Sequence, residues 1–367
     1  MSSWTRARFE DTALSFLWDQ WTQLGLSGQR GKGDRRVIDP EALLLLGLRV
    51  GPRDARLFGE MLDWVRVNGR LISVKRLRNL SGDERTRRLA DAALAWAGTH
   101  EPALQLWAKS MPRPKPKGEL ESLGNRLVQR TDPVFAAFGF SWPDTPPSGK
   151  SMGADLAAPA ALALRLRALF GVGARAEVIR YLYTTDRPES SVADVARVAG
   201  FGKRNIHDAL AELASAGAIR QITRGNGFRC SLDTAAWDRL LGVSDAAARP
   251  VFEDWVELLP AVARVIEWFD AEVTSDWSPY IRASDARQLV GEIGPALRGV
   301  GIGVPDGRDA LAEAYWEVFE EVLDGVAAAL GPSETDEISS DPELMGSLRR
   351  SRKQDAQGRR LRLKDPK

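Results

Sequence analysis

Residues 191–232 read SVADVARVAGFGKRNIHDALAELASAGAIRQITRGNGFRCSL, and this stretch decides the predicted fold. Ser191 and Asp194 have the spacing of a capping box, in which each side chain hydrogen-bonds to the backbone of the other residue. The pair predicts that a helix opens here and continues through the apolar residues that follow. Gly200 and Gly202 then indicate a tight turn.

A second helix is predicted over 203–216. Its apolar residues recur every three or four positions, and Gly217 ends it in the manner of a C-terminal glycine cap. The period then changes to that of two short strands, 218–223 and 228–232. The loop between them contains an Asn-Gly pair, which is the strongest short signal for a β-hairpin.

A helix at about 174–184 precedes these elements, so the order is helix, helix, tight turn, helix and hairpin. In this order and spacing the chain resembles the winged helix-turn-helix of bacterial MarR/ArsR-like regulators, over about 60 of its 367 residues. Apolar residues recur at helical spacing on both sides of this segment, so the predicted fold is mainly α, with helical domains that flank a central winged helix-turn-helix and its small β-hairpin wing. The resemblance is carried by four segments, 191–196, 202–210, 213–219 and 224–229.

In winged-helix proteins the third helix enters the major groove, and its exposed N-terminal residues meet base edges and phosphates. Arg204 is suited to pair with O6 and N7 of guanine, and Asn205 with N6 and N7 of adenine. Cations in the first helical turn oppose the helix dipole, which favours an anionic partner over a merely solvated surface. Asp208 lies on the same face and carries a negative charge, which is compatible with a protein partner in place of DNA. The candidate DNA-binding residues of the helix and the wing are Lys203, Arg204, Asn205, His207, Arg224, Asn226 and Arg229.

A length of 367 residues favours two or three domains, and breaks rich in proline and glycine suggest where they divide. The prediction is an N-terminal helical domain over 1–145, the winged domain over 155–242 and a C-terminal helical domain over 250–331. The composition of 332–367 is polar and charged, and basic at its end, so this tail is expected to be disordered.

The net charge of +1 hides a strong asymmetry. Residues 251–330 carry five Lys or Arg against sixteen Asp or Glu, whereas 66–88 carry eight against two and 348–367 carry nine against two. DNA would repel the acidic helical region, which is therefore the expected contact for a second copy or for a protein partner. In the first basic segment, Lys75, Arg76 and Arg78 are auxiliary candidates for contacting nucleic acid. A solvated basic face on a helical bundle is the alternative interpretation, and the one we prefer.

One cysteine and two histidines exclude most metal, haem and disulfide chemistry. The nucleophile-elbow, phosphate-loop and dinucleotide-binding motifs are also absent from the sequence. We therefore expect no enzyme activity, no metal and no cofactor. No apolar run approaches the length of about 18 residues that crosses a bilayer, and no secretory signal is visible, so we expect a cytoplasmic protein without membrane contact.

These features predict a sequence-specific DNA-binding transcriptional regulator that acts as a homodimer on double-stranded DNA. The alternative is an antitoxin or adaptor whose helical domains bind a protein partner, with autoregulatory DNA binding. This alternative follows from a resemblance to antitoxins of the nucleotidyltransferase-associated, abortive-infection type, which combine a winged domain with helical appendages. The winged segment is the part that matches, and its position in mid-chain departs from the N-terminal placement in that group.

Overall fold

A computed structural model describes residues 4–28, 35–112, 118–124, 128–224, 227–275, 277–307, 310 and 314–331. Within these ranges the chain is mainly helical with two small sheets, which confirms the predicted mainly α class. The predicted tail at 332–367 and the candidate residue Asn226 lie outside the described residues.

The N-terminal region consists of helices and one parallel pair of short strands. Its elements are α1 (Arg6–Gln23), α2 (Pro40–Val50), α3 (Ala55–Asn68), α4 (Val74–Leu80), α5 (Glu84–His100), α6 (Gln105–Ser110), β1 (Glu121–Ser122), α7 (Pro133–Ala137) and β2 (Phe140–Ser141). Acidic side chains set several of the helix starts. Asp39 accepts a 3.1 Å hydrogen bond from the backbone N of Ala42 at the start of α2, and Asp83 accepts one of 2.8 Å from that of Thr86 at the start of α5.

The central region contains a small antiparallel sheet, and the C-terminal region is helical. The central elements are α8 (Leu162–Phe170), α9 (Ala174–Thr184), β3 (Ser190–Ser191), α10 (Val192–Ala199), α11 (Lys203–Ser215), β4 (Arg220–Arg224), β5 (Gly227–Ser231) and α12 (Thr234–Leu241). The C-terminal elements are α13 (Trp255–Thr274), α14 (Pro279–Gly299) and α15 (Tyr315–Leu330).

The N-terminal and C-terminal helices share one hydrophobic core. Phe9 of α1 contacts Phe269 of α13 with ring centroids 5.9 Å apart, and Phe16 contacts Trp255 at 5.5 Å. Helix α13 also packs along α2. The two segments predicted as domains, 1–145 and 250–331, therefore cover each other's apolar faces in this core.

A second cluster of buried apolar residues holds the central elements together. It contains the inward faces of α8 to α12, with Ile179, Val195, Leu210 and Trp237 among its members. Leu210 is fully buried, and Trp237 donates a 3.2 Å hydrogen bond from Nε1 to the carbonyl oxygen of Ala218. These elements form what we call the central unit, residues 162–241, which carries most of the candidate site.

Candidate nucleic-acid interface

A capping box opens α10, as the sequence predicts. Ser191 Oγ accepts a 3.1 Å hydrogen bond from the backbone N of Asp194, and Asp194 Oδ2 accepts one of 3.1 Å from the backbone N of Ser191. The hydrogen bonds from Ser191 lower the pKa of the Asp194 carboxyl group. This reciprocal pair fixes the point at which the chain leaves β3 and enters the helix.

The turn between α10 and α11 depends on two glycines. Gly200 ends α10 in the left-handed conformation with φ of 65°, which glycine adopts without steric cost. Gly202 has an extended backbone and precedes Lys203 at the start of α11. Phe201 between them is buried and anchors the turn in the core of the central unit.

Helix α11 buries one face and presents the other to solvent. Ile206, Leu210 and Leu213 are buried, as their spacing predicts. Lys203, Arg204 and His207 are exposed and Asn205 is half-buried. Among the described residues, no side chain caps the N-terminus of this helix, and its first turn contains no acidic residue. The free N–H groups and the two cations therefore form a positive surface.

The hairpin β4–β5 joins β3 in a three-stranded sheet with the order β3, β5, β4. Residues that lie opposite each other on neighbouring strands share a face of the sheet. Gln221 pairs with Cys230, which is buried, whereas Ile222 pairs with Arg229 on the exposed face. Phe228 lies on the same face as Cys230 and contacts the ring of His207 at 5.9 Å between centroids.

Two candidate residues of the wing occupy the outer face of the hairpin. Arg224 and Arg229 are both exposed, and the register places both side chains on the face opposite Phe228. Arg224 forms an exposed ion pair with Glu189 at 3.3 Å. The structure thus brings His207 to the wing through Phe228, while the two wing arginines form a separate basic edge.

The three auxiliary candidates differ in their exposure to solvent, from exposed to fully buried. Lys75 is exposed, with Nζ 5.9 Å from the ring centroid of Phe201. Arg76 is fully buried, so the prediction that it contacts nucleic acid is wrong. Arg78 is half-exposed and pairs with Asp91 at 3.0 Å. The side chain of Arg76 points into the protein. The segment is therefore neither a basic surface for nucleic acid nor a wholly solvated face.

Arg76 belongs to a buried cluster of three guanidinium groups and three carboxylates, which we call the six-charge cluster. Its members are nearly inaccessible to solvent, with at most 2% of each side chain exposed. They come from the start of α2, with its N-cap residue, and from α4, α8 and α9: Asp39, Glu41, Arg76, Arg167, Glu177 and Arg180. Arg167 Nη2 donates to Glu41 at 2.6 Å and to Glu177 at 2.7 Å. Arg180 Nε donates to Glu177 at 2.9 Å. The cluster is electrically neutral and joins the N-terminal helices to the central unit.

Burial opposes ionisation of the carboxyl groups of Asp39 and Glu177, but the neighbouring arginine charges have the larger effect on their pKa values. Burial raises the pKa of Asp39, and the charges of Arg76 and Arg180 overcome this and hold it well below its usual range. At Glu177, burial is again opposed, chiefly by Arg167, and the pKa falls from 4.5 to about 2. Asp39 and Glu177 are therefore ionised at neutral pH.

Sequence reasoning missed five members of the six-charge cluster and misassigned Arg76. A signal was present, since Glu41 directly precedes the apolar run 42–46 and Arg167 interrupts the apolar helix LALRLRALF at 162–170. Charged residues inside apolar helical stretches are buried only when they are paired. The partners were not predictable, because they come from four different helices.

The cysteine, one histidine and the acidic side chains are the candidates for thiol or metal chemistry. Cys230 is buried, and burial raises the pKa of its thiol. His100 Nδ1 lies 2.9 Å from the carbonyl oxygen of Trp96. Among the described residues, no group of three or more His, Cys, Asp or Glu is arranged to hold a metal ion. Within the same ranges, every helix is too short or too polar to cross a bilayer.

Comparison with known proteins gives no match: no family model fits the chain, and neither a curated protein nor a solved structure is significantly similar to it.

Proposed function

We propose that this protein is a sequence-specific DNA-binding transcriptional regulator, and that its central unit acts as a winged helix-turn-helix. The observation that carries the proposal is the uncapped, cationic start of α11, where Lys203 and Arg204 are exposed beside free backbone N–H groups. Such a helix start is suited to a phosphate or to the edge of a guanine.

The topology of the central unit supports the same proposal. Its elements run α9, β3, α10, α11, β4 and β5, and β5 lies between the other two strands. In winged-helix proteins the helix that follows the turn enters the major groove, and the hairpin lies beside it. Here α11 corresponds to that helix, and Arg224 and Arg229 supply the basic edge of the hairpin, where arginine suits a narrow minor groove.

The test is fluorescence-anisotropy titration of the full-length protein with DNA from its own upstream region and with scrambled DNA, over a series of salt concentrations. About six phosphate contacts predict a log–log slope near −5, and a specific regulator prefers its own DNA by about 10³-fold or more. The double variant Lys203→Ala/Arg204→Ala is expected to lose this preference. Arg298→Ala, which removes an exposed arginine from the last turn of α14, is the matched control.

Equal and weak binding to both DNAs would overturn the proposal. That outcome would favour the alternative in the sequence analysis, an antitoxin or adaptor that binds a protein partner. In that case the variants at 203 and 204 would bind DNA as weakly as the unmodified chain does.

A homodimer is part of the proposal, because operators are usually palindromic and one winged unit buries little surface. The junction of α13 and α14, within the acidic region, exposes Val273, Tyr280 and Ile281 to 57%, 64% and 48%. We assign the contact between copies to this apolar surface. Light scattering is expected to show a dimer mass that Ile281→Asp reduces, whereas Leu106→Asp, at an exposed leucine of α6, leaves the mass unchanged.

A further inference from the structure

A cavity of about 400 Å³ lies between α2, the turn from α4 to α5, and the first half of α13. Much of its wall is apolar and includes Ala42, Leu45, Leu46, Leu80, Leu259 and Ala263. Small-molecule sites have this range of volumes and this kind of wall, with a few polar groups that orient the ligand.

Helix α13 supplies one such polar group through its backbone. Pro260 lies inside the helix and has no N–H to donate to the carbonyl oxygen of Val256, four residues earlier. Both residues line the cavity. The usual donor to the carbonyl oxygen of Val256 is therefore missing, which makes this oxygen the candidate acceptor for a bound molecule.

The arginines of the cavity wall already have carboxylate partners. Arg49 and Arg264 both pair with Glu267, and Arg264 also pairs with Glu292 at 2.7 Å. The acidic residue Asp83 also lines the cavity, and its carboxylate accepts hydrogen bonds from Thr86. Because these arginines are already neutralised, the described wall residues leave no unpaired positive charge that would attract an anion. The chemistry of the cavity fits a neutral, mainly apolar molecule with a hydrogen-bond donor.

Two residues of the cavity wall, Asn79 and Leu80, also contact the turn at 200–202. Asn79 donates a 3.0 Å hydrogen bond from Nδ2 to the carbonyl oxygen of Gly200. Leu80 lies so close that a Cβ added to Gly200 would be 3.2 Å from its Cδ2. A molecule that displaces Asn79 or Leu80 would therefore shift the turn that sets the position of α11.

We propose that this cavity binds a neutral, mainly apolar small molecule that carries one hydrogen-bond donor, and that binding repositions the 200–202 turn through Asn79 and Leu80. The regulatory consequence rests on the proposed function, since α11 is the helix assigned to the major groove. The ligand acts on DNA affinity because it binds the two arrangements of the turn with different affinities.

The probe for the test is N-phenyl-1-naphthylamine, a neutral aromatic molecule with one N–H donor whose fluorescence rises in apolar sites. Full-length protein is expected to bind it saturably, with one site per chain. Val256→Phe fills the cavity from α13 and is expected to weaken probe binding by about tenfold or more. Val172→Phe enlarges an exposed valine in the loop between α8 and α9, away from the cavity, and is the matched control. Ala42→Phe fills the cavity from α2 and repeats the test if Val256→Phe folds poorly.

Two further measurements test whether binding in the cavity affects the turn and the affinity for DNA. Hydrogen exchange of the amides at 200–206 is expected to change when the probe binds to the unmodified chain, and not in Val256→Phe. The affinity for DNA from the upstream region is expected to change by about fivefold or more on addition of the probe.

The outcomes separate the cavity from the proposed function. Absence of saturable binding, or binding that both filling variants leave intact, would overturn the assignment of the cavity whatever the DNA result. Binding without a change in hydrogen exchange at the turn would overturn the coupling. A chain that binds no DNA but still shows probe binding and the exchange change would refute the proposed function and support the link between cavity and turn.

Discussion

Arg76 Nε donates a 2.8 Å hydrogen bond to the carbonyl oxygen of Ala199, 123 residues further along the chain. Arg76 Nη2 donates to the carbonyl oxygen of Val198 at 3.1 Å, so both bonds end at the last residues of α10. A cation at this end of a helix also interacts favourably with its dipole. The remaining guanidinium hydrogens bond to Asp39 and Glu41, which secures the turn to the N-terminal helices.

Replacement of Arg76 by methionine is expected to destabilise the protein by about 3–5 kcal/mol, because it leaves buried carboxylates without a compensating charge. Chemical denaturation followed by circular dichroism measures the change in unfolding free energy. Lys75→Met is the control on the same helix, because the side chain of this lysine is exposed to solvent. That variant is expected to lose about 0–1 kcal/mol, and a similar loss for both variants would contradict the role given to Arg76.

The six-charge cluster is also expected to make stability depend on pH in the acid range. The pKa of Glu177 is about 2 in the folded protein and 4.5 ordinarily, so its contribution is present above pH 4.5 and is lost as the pH falls toward 2. The full contribution is on the order of 3 kcal/mol. Urea unfolding measures the unfolding free energy between about pH 5 and pH 2. This free energy is expected to fall less steeply with decreasing pH in Glu177→Gln than in the unmodified chain.

The control for the pH experiment is Glu321→Gln, which removes an exposed carboxyl group from α15. Its unfolding free energy is expected to follow the pH dependence of the unmodified chain. Identical pH dependence in the two variants would show that Glu177 is not held ionised by its arginine partners.

The local elements of the central unit were predictable from the sequence because local signals specify them. The capping box at Ser191 and Asp194, the turn at 200–202, the helix that starts at Lys203 and the hairpin all lie where their patterns indicate. Each depends on residues within a few positions of one another. Side-chain exposure along α11 followed from the same helical period.

Long-range features were not predictable in this way. Periodicity shows that α13 has an apolar face, but it does not show that α1 and α2 cover that face. Arg76 looked like part of a basic surface, because its carboxylate partners are 35 and 37 residues away and its carbonyl partners more than 120. Charge counts along a segment do not distinguish a solvated arginine from a buried, paired one.

Two glycines with nearly the same conformation allow the contact between α4 and the turn to be measured. Gly200 and Gly242 both end helices in the left-handed region, with φ of 65° and 66°. A Cβ on Gly200 would lie 3.1 Å from Cγ of Arg76, whereas one on Gly242 would meet nothing within 4 Å in the described residues. Alanine at either position adds the same backbone strain, of about 1 kcal/mol.

Gly200→Ala is therefore expected to lose about 1 kcal/mol or more beyond the loss in Gly242→Ala, because its methyl group crowds Arg76 and Leu80. The difference between the two unfolding free energies reports the close approach of α4 to the turn. Equal losses would mean that α4 yields freely at this point, and they would weaken the proposed link from the cavity to α11.

Lys203 and Arg204 are adjacent and both exposed at the start of α11, yet they are expected to affect DNA binding differently. Arg204→Ala is expected to cost about 1–3 kcal/mol on the cognate site and to relax the sequence preference, because a guanidinium group pairs with a guanine edge through two hydrogen bonds. Lys203→Ala is expected to weaken binding to all DNA about equally and to reduce the salt slope by about 1, as removal of one phosphate contact does. Anisotropy titrations with cognate and scrambled DNA distinguish the two effects. If both variants lose affinity without any change in preference, α11 contacts only the DNA backbone, and the residues that read the sequence lie elsewhere in the chain.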